Sequence, residues 1–78
     1  MSDIKLIIRR AKRGNERNLD LSGMGLMEIP DDIMQLTNLE SINLSGNRLT
    51  HLRGIEALQD LRSINAQNNN IANLHDEF

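Results

Sequence analysis

Few residues in this chain stand at spacings that chemistry uses. Gly23-Met24-Gly25-Leu26-Met27-Glu28 opens like a dinucleotide-binding turn, where glycines let the backbone approach a pyrophosphate. The third glycine is missing, however, and no helical pattern opens on the segment, so the glycines read as turn residues. His51 and His75 are the only imidazoles and the chain has no cysteine. Two histidines without a nearby third ligand make a poor metal site, and both read as surface residues. Asn43-Leu44-Ser45 has the form of a glycosylation sequon but lies in an extended segment. No Ser, Asp or His is arranged for nucleophilic or acid–base work. The chain therefore reads as a non-enzyme, with no cofactor, metal or small-molecule ligand expected.

The polar residues instead follow a repeat. Leu39–Leu49 reads L-x-x-I-x-L-x-x-N-x-L, and Ile42 and Leu44 around Asn43 alternate with period 2, the mark of a short strand with one face inward. A strand so short needs neighbours of its own kind. Residues 61–71 repeat the spacing with Asn69 standing where Asn47 stood. Upstream, Leu19, Leu21 and Leu26 repeat it in degenerate form, with Met24 in the Asn slot. The offsets are 23 residues from Leu19 to Ile42 and 22 from Ile42 to Ile64.

At 78 residues the chain bounds one small domain, whose core must be built from Leu and Ile because Phe78 is its only aromatic residue. A single core of this size rarely yields more than ~3–5 kcal/mol. No apolar run approaches the ~18 residues of a membrane span. The N-terminus offers only Leu6-Ile7-Ile8 before charge begins, which reads as no signal peptide and makes the cytoplasm the expected location. Net charge is −2 but unevenly spread. Residues 1–17 hold six basic side chains against Asp3 and Glu16, a local +4, and the remainder is acidic. Residues 2–13 are predicted as a helix, with Ser2 as N-cap and Ile4, Ile7, Ile8 and Ala11 forming one apolar stripe. Gly14 and Asn15 end it.

A 22–23-residue period carrying L-x-x-I-x-L-x-x-N-x-L resembles the leucine-rich repeat family over about residues 16–74. The Ile29-Pro30-Asp31-Asp32-Ile33-Met34-Gln35-Leu36 linker resembles that of the 23-residue repeats of bacterial, plant intracellular and Roco proteins. The shorter Leu52–Leu58 linker, without proline, is similar to the 22-residue subtype of phosphatase regulators and dynein-associated light chains. The resemblance implies an α/β leucine-rich-repeat solenoid, a partial right-handed horseshoe with short parallel strands. Residues 1–15 would be an N-terminal capping helix, and repeats would cover about 16–38, 39–60 and 61–78. Linkers would be irregular or 3₁₀, with Asp31 or Asp32 capping the first. It also implies that Asn47 and Asn69 form a buried structural ladder bonding backbone groups, which Met24 cannot join.

By the same pattern Asn18, Asp20 and Ser22, then Ser41, Asn43 and Ser45, then Ser63, Asn65 and Gln67 form the concave face, flanked by Arg17, Glu40 and Arg62. None of the nine is a Trp, Tyr or Arg of the kind that anchors interfaces, so the face permits recognition without advertising it. The expected function is a non-catalytic protein–protein interaction module whose partner is another protein. The third repeat leaves an apolar edge of Ile64, Ala66, Ile71 and Leu74, with Phe78 beside it. Such an edge is expected to pair with a second copy as a homodimer. The competing expectation is an acidic repeat domain tethered to a membrane or nucleic acid through its basic helix.

Overall fold

A computed structural model describes residues 3–71 of the chain. The elements follow in the order α1 (Ile4–Arg13), β1 (Asn18–Asp20), a 3₁₀ turn η1 (Asp31–Gln35), β2 (Ser41–Asn43), a second 3₁₀ turn η2 (Ile55–Ala57) and β3 (Ser63–Asn65). The strands form one parallel sheet in the order β1-β2-β3. Leu19, Ile42 and Ile64 share one register column, flanked by the columns Asn18–Ser41–Ser63 and Asp20–Asn43–Asn65. This is an α/β repeat fold. An advance of 22–23 residues per strand leaves a connection long enough to carry the chain back to the same end of the sheet, as parallel pairing requires.

The period-2 alternation sets the inside of the sheet. Leu19, Leu21, Ile42 and Leu44 are buried, and Leu26 continues the core past β1 as Leu49 and Leu52 do past β2. Ile29, Ile33, Leu36, Leu39, Ile55 and Leu58 close it from the linker side. The turns pair as the strands do: Arg48 N donates to Leu26 O at 2.8 Å and Asn70 N to Leu49 O at 2.9 Å. β3 differs from its neighbours. Ile64 is 37% exposed where Leu19 and Ile42 are 7% and 3%.

The two linkers reach the same place by different backbones. η1 starts from Pro30, whose φ of −61° is the value its ring imposes. One residue is lost at this point in the second linker. Gly54 precedes η2 at φ +99°, a conformation that side chains with a Cβ rarely adopt, and any Cβ there would overlap the Met34 Cε. No side chain caps η1, so the expected Asp31 or Asp32 cap is not made; Pro30 occupies that position, with its backbone extended.

α1 begins at Ile4 with Asp3 as the N-cap residue, and no side-chain cap bond forms. The expected N-cap, Ser2, lies outside the described residues. Ile4, Ile8 and Ala11 enter the same buried cluster as Leu19 and Leu21, while Ile7 is only partly buried against it. α1 packs on η1. Lys12 Nζ donates to Gln35 Oε1 at 2.8 Å across that junction, and Asn38 Nδ2 to Asn15 Oδ1 at 3.3 Å. Arg10, Lys12 and Arg13 sit in the last turn, where the helix dipole favours positive charge.

Candidate functional site: the outer face of the strands

Outward strand positions form one surface because each register column stacks the same kind of residue. Asn18, Asp20, Ser63, Asn65 and Gln67 are exposed, and Ser22, Ser41, Asn43 and Ser45 are half-buried. An open trough of about 320 Å³ crosses all three strands, lined among others by Asn18, Asp20, Ser41, Asn43, Ser63 and Asn65. Just before β1 and β2 in the chain, Arg17 Nε and Glu40 Oε2 lie 4.0 Å apart, at 74% and 41% exposure. A pair so solvated contributes little to stability. The backbone there is firmer: Arg17 O accepts from the N–H groups of Glu40 (2.7 Å) and Ser41 (3.0 Å), and Glu40 O likewise from Arg62 (2.7 Å) and Ser63 (3.1 Å).

Several of these polar side chains already have partners within the sheet. Asp20 Oδ1 accepts from Ser22 N at 2.9 Å, Asn43 Oδ1 from Ser45 N at 3.0 Å, and Asn65 Oδ1 from Gln67 N at 3.1 Å. The same two-residue turn thus closes each strand. Its signal, Asp or Asn followed two places on by Ser or Gln, recurs three times in the sequence, yet reading those positions as a binding column missed it. Ser41 Oγ donates to Asn18 Oδ1 between neighbouring strands. Ser45 Oγ donates to Asn43 Oδ1 at 2.7 Å.

Asp20 is the charged member of the turn series. The backbone N–H of Ser22, and then its hydroxyl, hold the Asp20 carboxyl below the usual carboxylate range. A depressed pKa adds stability that is full above the unfolded value near 3.9 and is lost as pH falls through the lower folded value. Asp20→Asn keeps the acceptor that Asn43 and Asn65 use, so neutral stability should be nearly unchanged. Its acid limb should be flatter below about pH 4 than the parent's. Thermal unfolding against pH checks this, and parallel limbs for the two proteins would discard it.

The two asparagines on the inner side of the turns bond backbone throughout. Asn47 is 6% exposed. Its Oδ1 accepts from Met24 N at 2.9 Å and Leu26 N at 3.0 Å, and its Nδ2 donates to Leu21 O and Leu44 O, each at 2.9 Å. Asn69 is half-buried. Its Oδ1 accepts from Leu49 N at 2.9 Å, and its Nδ2 donates to Leu44 O at 2.8 Å and Ala66 O at 3.2 Å. Each amide thus reaches back into the preceding turn. Met24, in the corresponding first position, is 38% exposed.

The other sequence candidates scatter. Gly23 and Gly25 take φ of +64° and +67° in a turn that no helix follows directly. His51 Nδ1 accepts from Arg53 N at 3.4 Å, and His75 lies outside the described residues. Among the described residues no three His, Cys, Asp or Glu side chains are grouped to hold a metal. No described helix is long and apolar enough to cross a membrane. Beside β3, Ile64, Ala66 and Ile71 line an open hollow of about 470 Å³ with Leu52. Leu74 and Phe78, expected on the same edge, lie outside the described residues.

A family model of the leucine rich repeat, whose domains generally mediate protein–protein interaction and are typically non-catalytic, matches residues 17–71. No curated protein and no solved structure matches the chain. The model covers most of the sequence and spans all three strands, with Asn47 and Asn69 at the turns that follow β2 and β3. The chain belongs to the leucine-rich repeat family.

Proposed function

We propose that this chain is a non-catalytic module that binds another protein on the outer, concave face of its strands. The supporting observation is the trough of about 320 Å³ that crosses every strand. The partner would contact Asn18, Asp20, Ser41, Asn43, Ser63 and Asn65, continued by Ser22, Ser45 and Gln67. In this reading the three coils, about residues 16–38, 39–60 and 61–78, form a partial right-handed horseshoe. Residues 1–15 cap its first edge, and the burial of Ile4, Ile8 and Ala11 beside Leu19 supports that role. The test is paired capture of binding proteins from extracts of the source cells. Ser41→Arg with Asn65→Arg in the trough should weaken capture of a specific partner by about tenfold or more, since a charge buried without a partner is costly. Gln59→Arg, outside the trough, should retain it. Equal capture by both variants would remove the concave face from consideration.

A second reading rests on β3. Ile64 is exposed beside the half-buried Ala66 and Ile71, around an apolar hollow of about 470 Å³. We infer that a second copy of the chain covers this side, with the same patch on both subunits as two-fold closure requires. Light scattering should then find a dimer that Ile64→Lys converts to monomer. A parent that stays monomeric at high micromolar concentration refutes it.

A further inference from the structure

We propose that the hollow between α1 and η1 is a binding site for a single phosphoryl group. It measures about 350 Å³ and is lined by Lys5, Ile8, Arg9 and Lys12 from the helix and by Asp32 and Gln35 from the 3₁₀ turn. The three cations stand at i, i+4 and i+7, so they form one row beside the buried stripe of Ile4, Ile8 and Ala11. Like charges at these spacings weaken a helix. Lys12 gains from the helix dipole, but Lys5 and Arg9, nearer the start of the helix, add nothing to one that only covers apolar surface.

The row is also poorly neutralised. Lys5, Arg9 and Asp32 make no ion pair within 4.0 Å among the described residues, so the hollow carries an excess of two positive charges. One phosphoryl dianion balances that excess. Lys12 Nζ lies 2.8 Å from Gln35 Oε1, which ties together two residues of the lining and leaves the Gln35 amide N–H₂ to donate. Arg9 adds a planar fork that matches two phosphate oxygens. Asp32 opposes a long polyanion, which would need an uninterrupted line of cations, and so favours a single group over a nucleic acid strand. Because Ile4, Ile8 and Ala11 are buried in the core, the helix meets any anionic partner with this charged row and not by inserting its apolar stripe. The phosphoryl group has two sources, a soluble phosphate compound or a phospholipid headgroup.

The test titrates the full chain with inorganic phosphate at low ionic strength, followed by amide NMR, against matched chloride. Saturable shifts at Lys5, Arg9, Lys12 and Gln35 are expected. Lys5→Gln with Arg9→Gln should raise the dissociation constant by about tenfold, because charge-assisted bonds are the strong ones. Arg10→Gln with Arg13→Gln removes the same charge outside the hollow and should change it by less than about twofold. Circular dichroism verifies that both variants remain folded. Non-saturating shifts, or equal weakening in the two variants, would overturn the site. Tighter binding of a single-stranded oligonucleotide that survives Lys5→Gln with Arg9→Gln would do so too. Sedimentation with phosphatidylcholine vesicles containing phosphatidylinositol 4-phosphate then assigns the source. Binding that inorganic phosphate competes away identifies the headgroup. Phosphate binding without sedimentation identifies a soluble compound.

Discussion

Asn47→Leu is expected to bring this chain close to unfolding, although leucine is the more apolar residue. The substitution removes one acceptor for two N–H groups and one donor for three carbonyls, the third being Ser45 O at 3.3 Å. The five backbone groups do not suffer equally. Ser45 O keeps the bond from Gly23 N. Leu44 O keeps the bond from Asn69 Nδ2, and Met24 is exposed enough for water to reach its amide. Leu26 N is buried, and its amide and Leu21 O carry most of the loss. A stranded buried group costs about 1–3 kcal/mol, so the two together come to about 2–6 kcal/mol. A core of this size supplies only about 3–5 kcal/mol, so that loss is most of it. Asn69→Leu should cost less, since Asn69 is half-buried and holds one N–H from the preceding turn. Urea denaturation measures both. An Asn47→Leu protein within about 0.5 kcal/mol of the parent would show that the amide is dispensable.

The second large effect concerns α1. Removing residues 1–13 strips Ile4, Ile8 and Ala11 from the cluster that holds Leu19, Leu21 and Ile33. The remaining chain is expected to aggregate or to lose its cooperative transition, because an uncovered solenoid end exposes apolar surface. A point substitution makes the same case without truncation. Ile8 is 4% exposed, so Ile8→Ala leaves a cavity in the core and should cost about 2–5 kcal/mol. Arg10→Gln, on the solvent side, should stay within about 0.5 kcal/mol. A truncated chain that remains monomeric and unfolds cooperatively would end the capping proposal.

Much of this architecture is legible in the sequence because the repeat is a length rule. Offsets of 23 and 22 residues between Leu19, Ile42 and Ile64 put those three side chains in one register column, and the strand pairing runs through them. The alternation around Asn43 separates inside from outside for the same reason that any strand does: successive side chains point to opposite faces. The apolar stripe of α1 and its stop at Gly14 follow from the 3.6-residue period and from the chemistry of helix ends.

What the sequence left open depends on distances between residues far apart in the chain. Its reading of Asp20, Asn43 and Asn65 as free binding groups took account of exposure and not of partners. Folding brings each within hydrogen-bond distance of the backbone two residues on, so part of their capacity is already used. In the sequence Lys5, Arg9 and Lys12 belong to a basic helix, and nothing local indicates where η1 will lie. Only packing sets Asp32 and Gln35 opposite them and turns a row of charges into a walled hollow. Cap positions were misjudged at Asp31 and Asp32 because a proline ring at residue 30 starts the turn without a side-chain acceptor. Periodicity therefore determines which residues share a face, since it needs only the backbone's own repeat. Which polar groups on that face remain available is decided by tertiary structure, because a hydrogen bond depends on where its partner comes to rest.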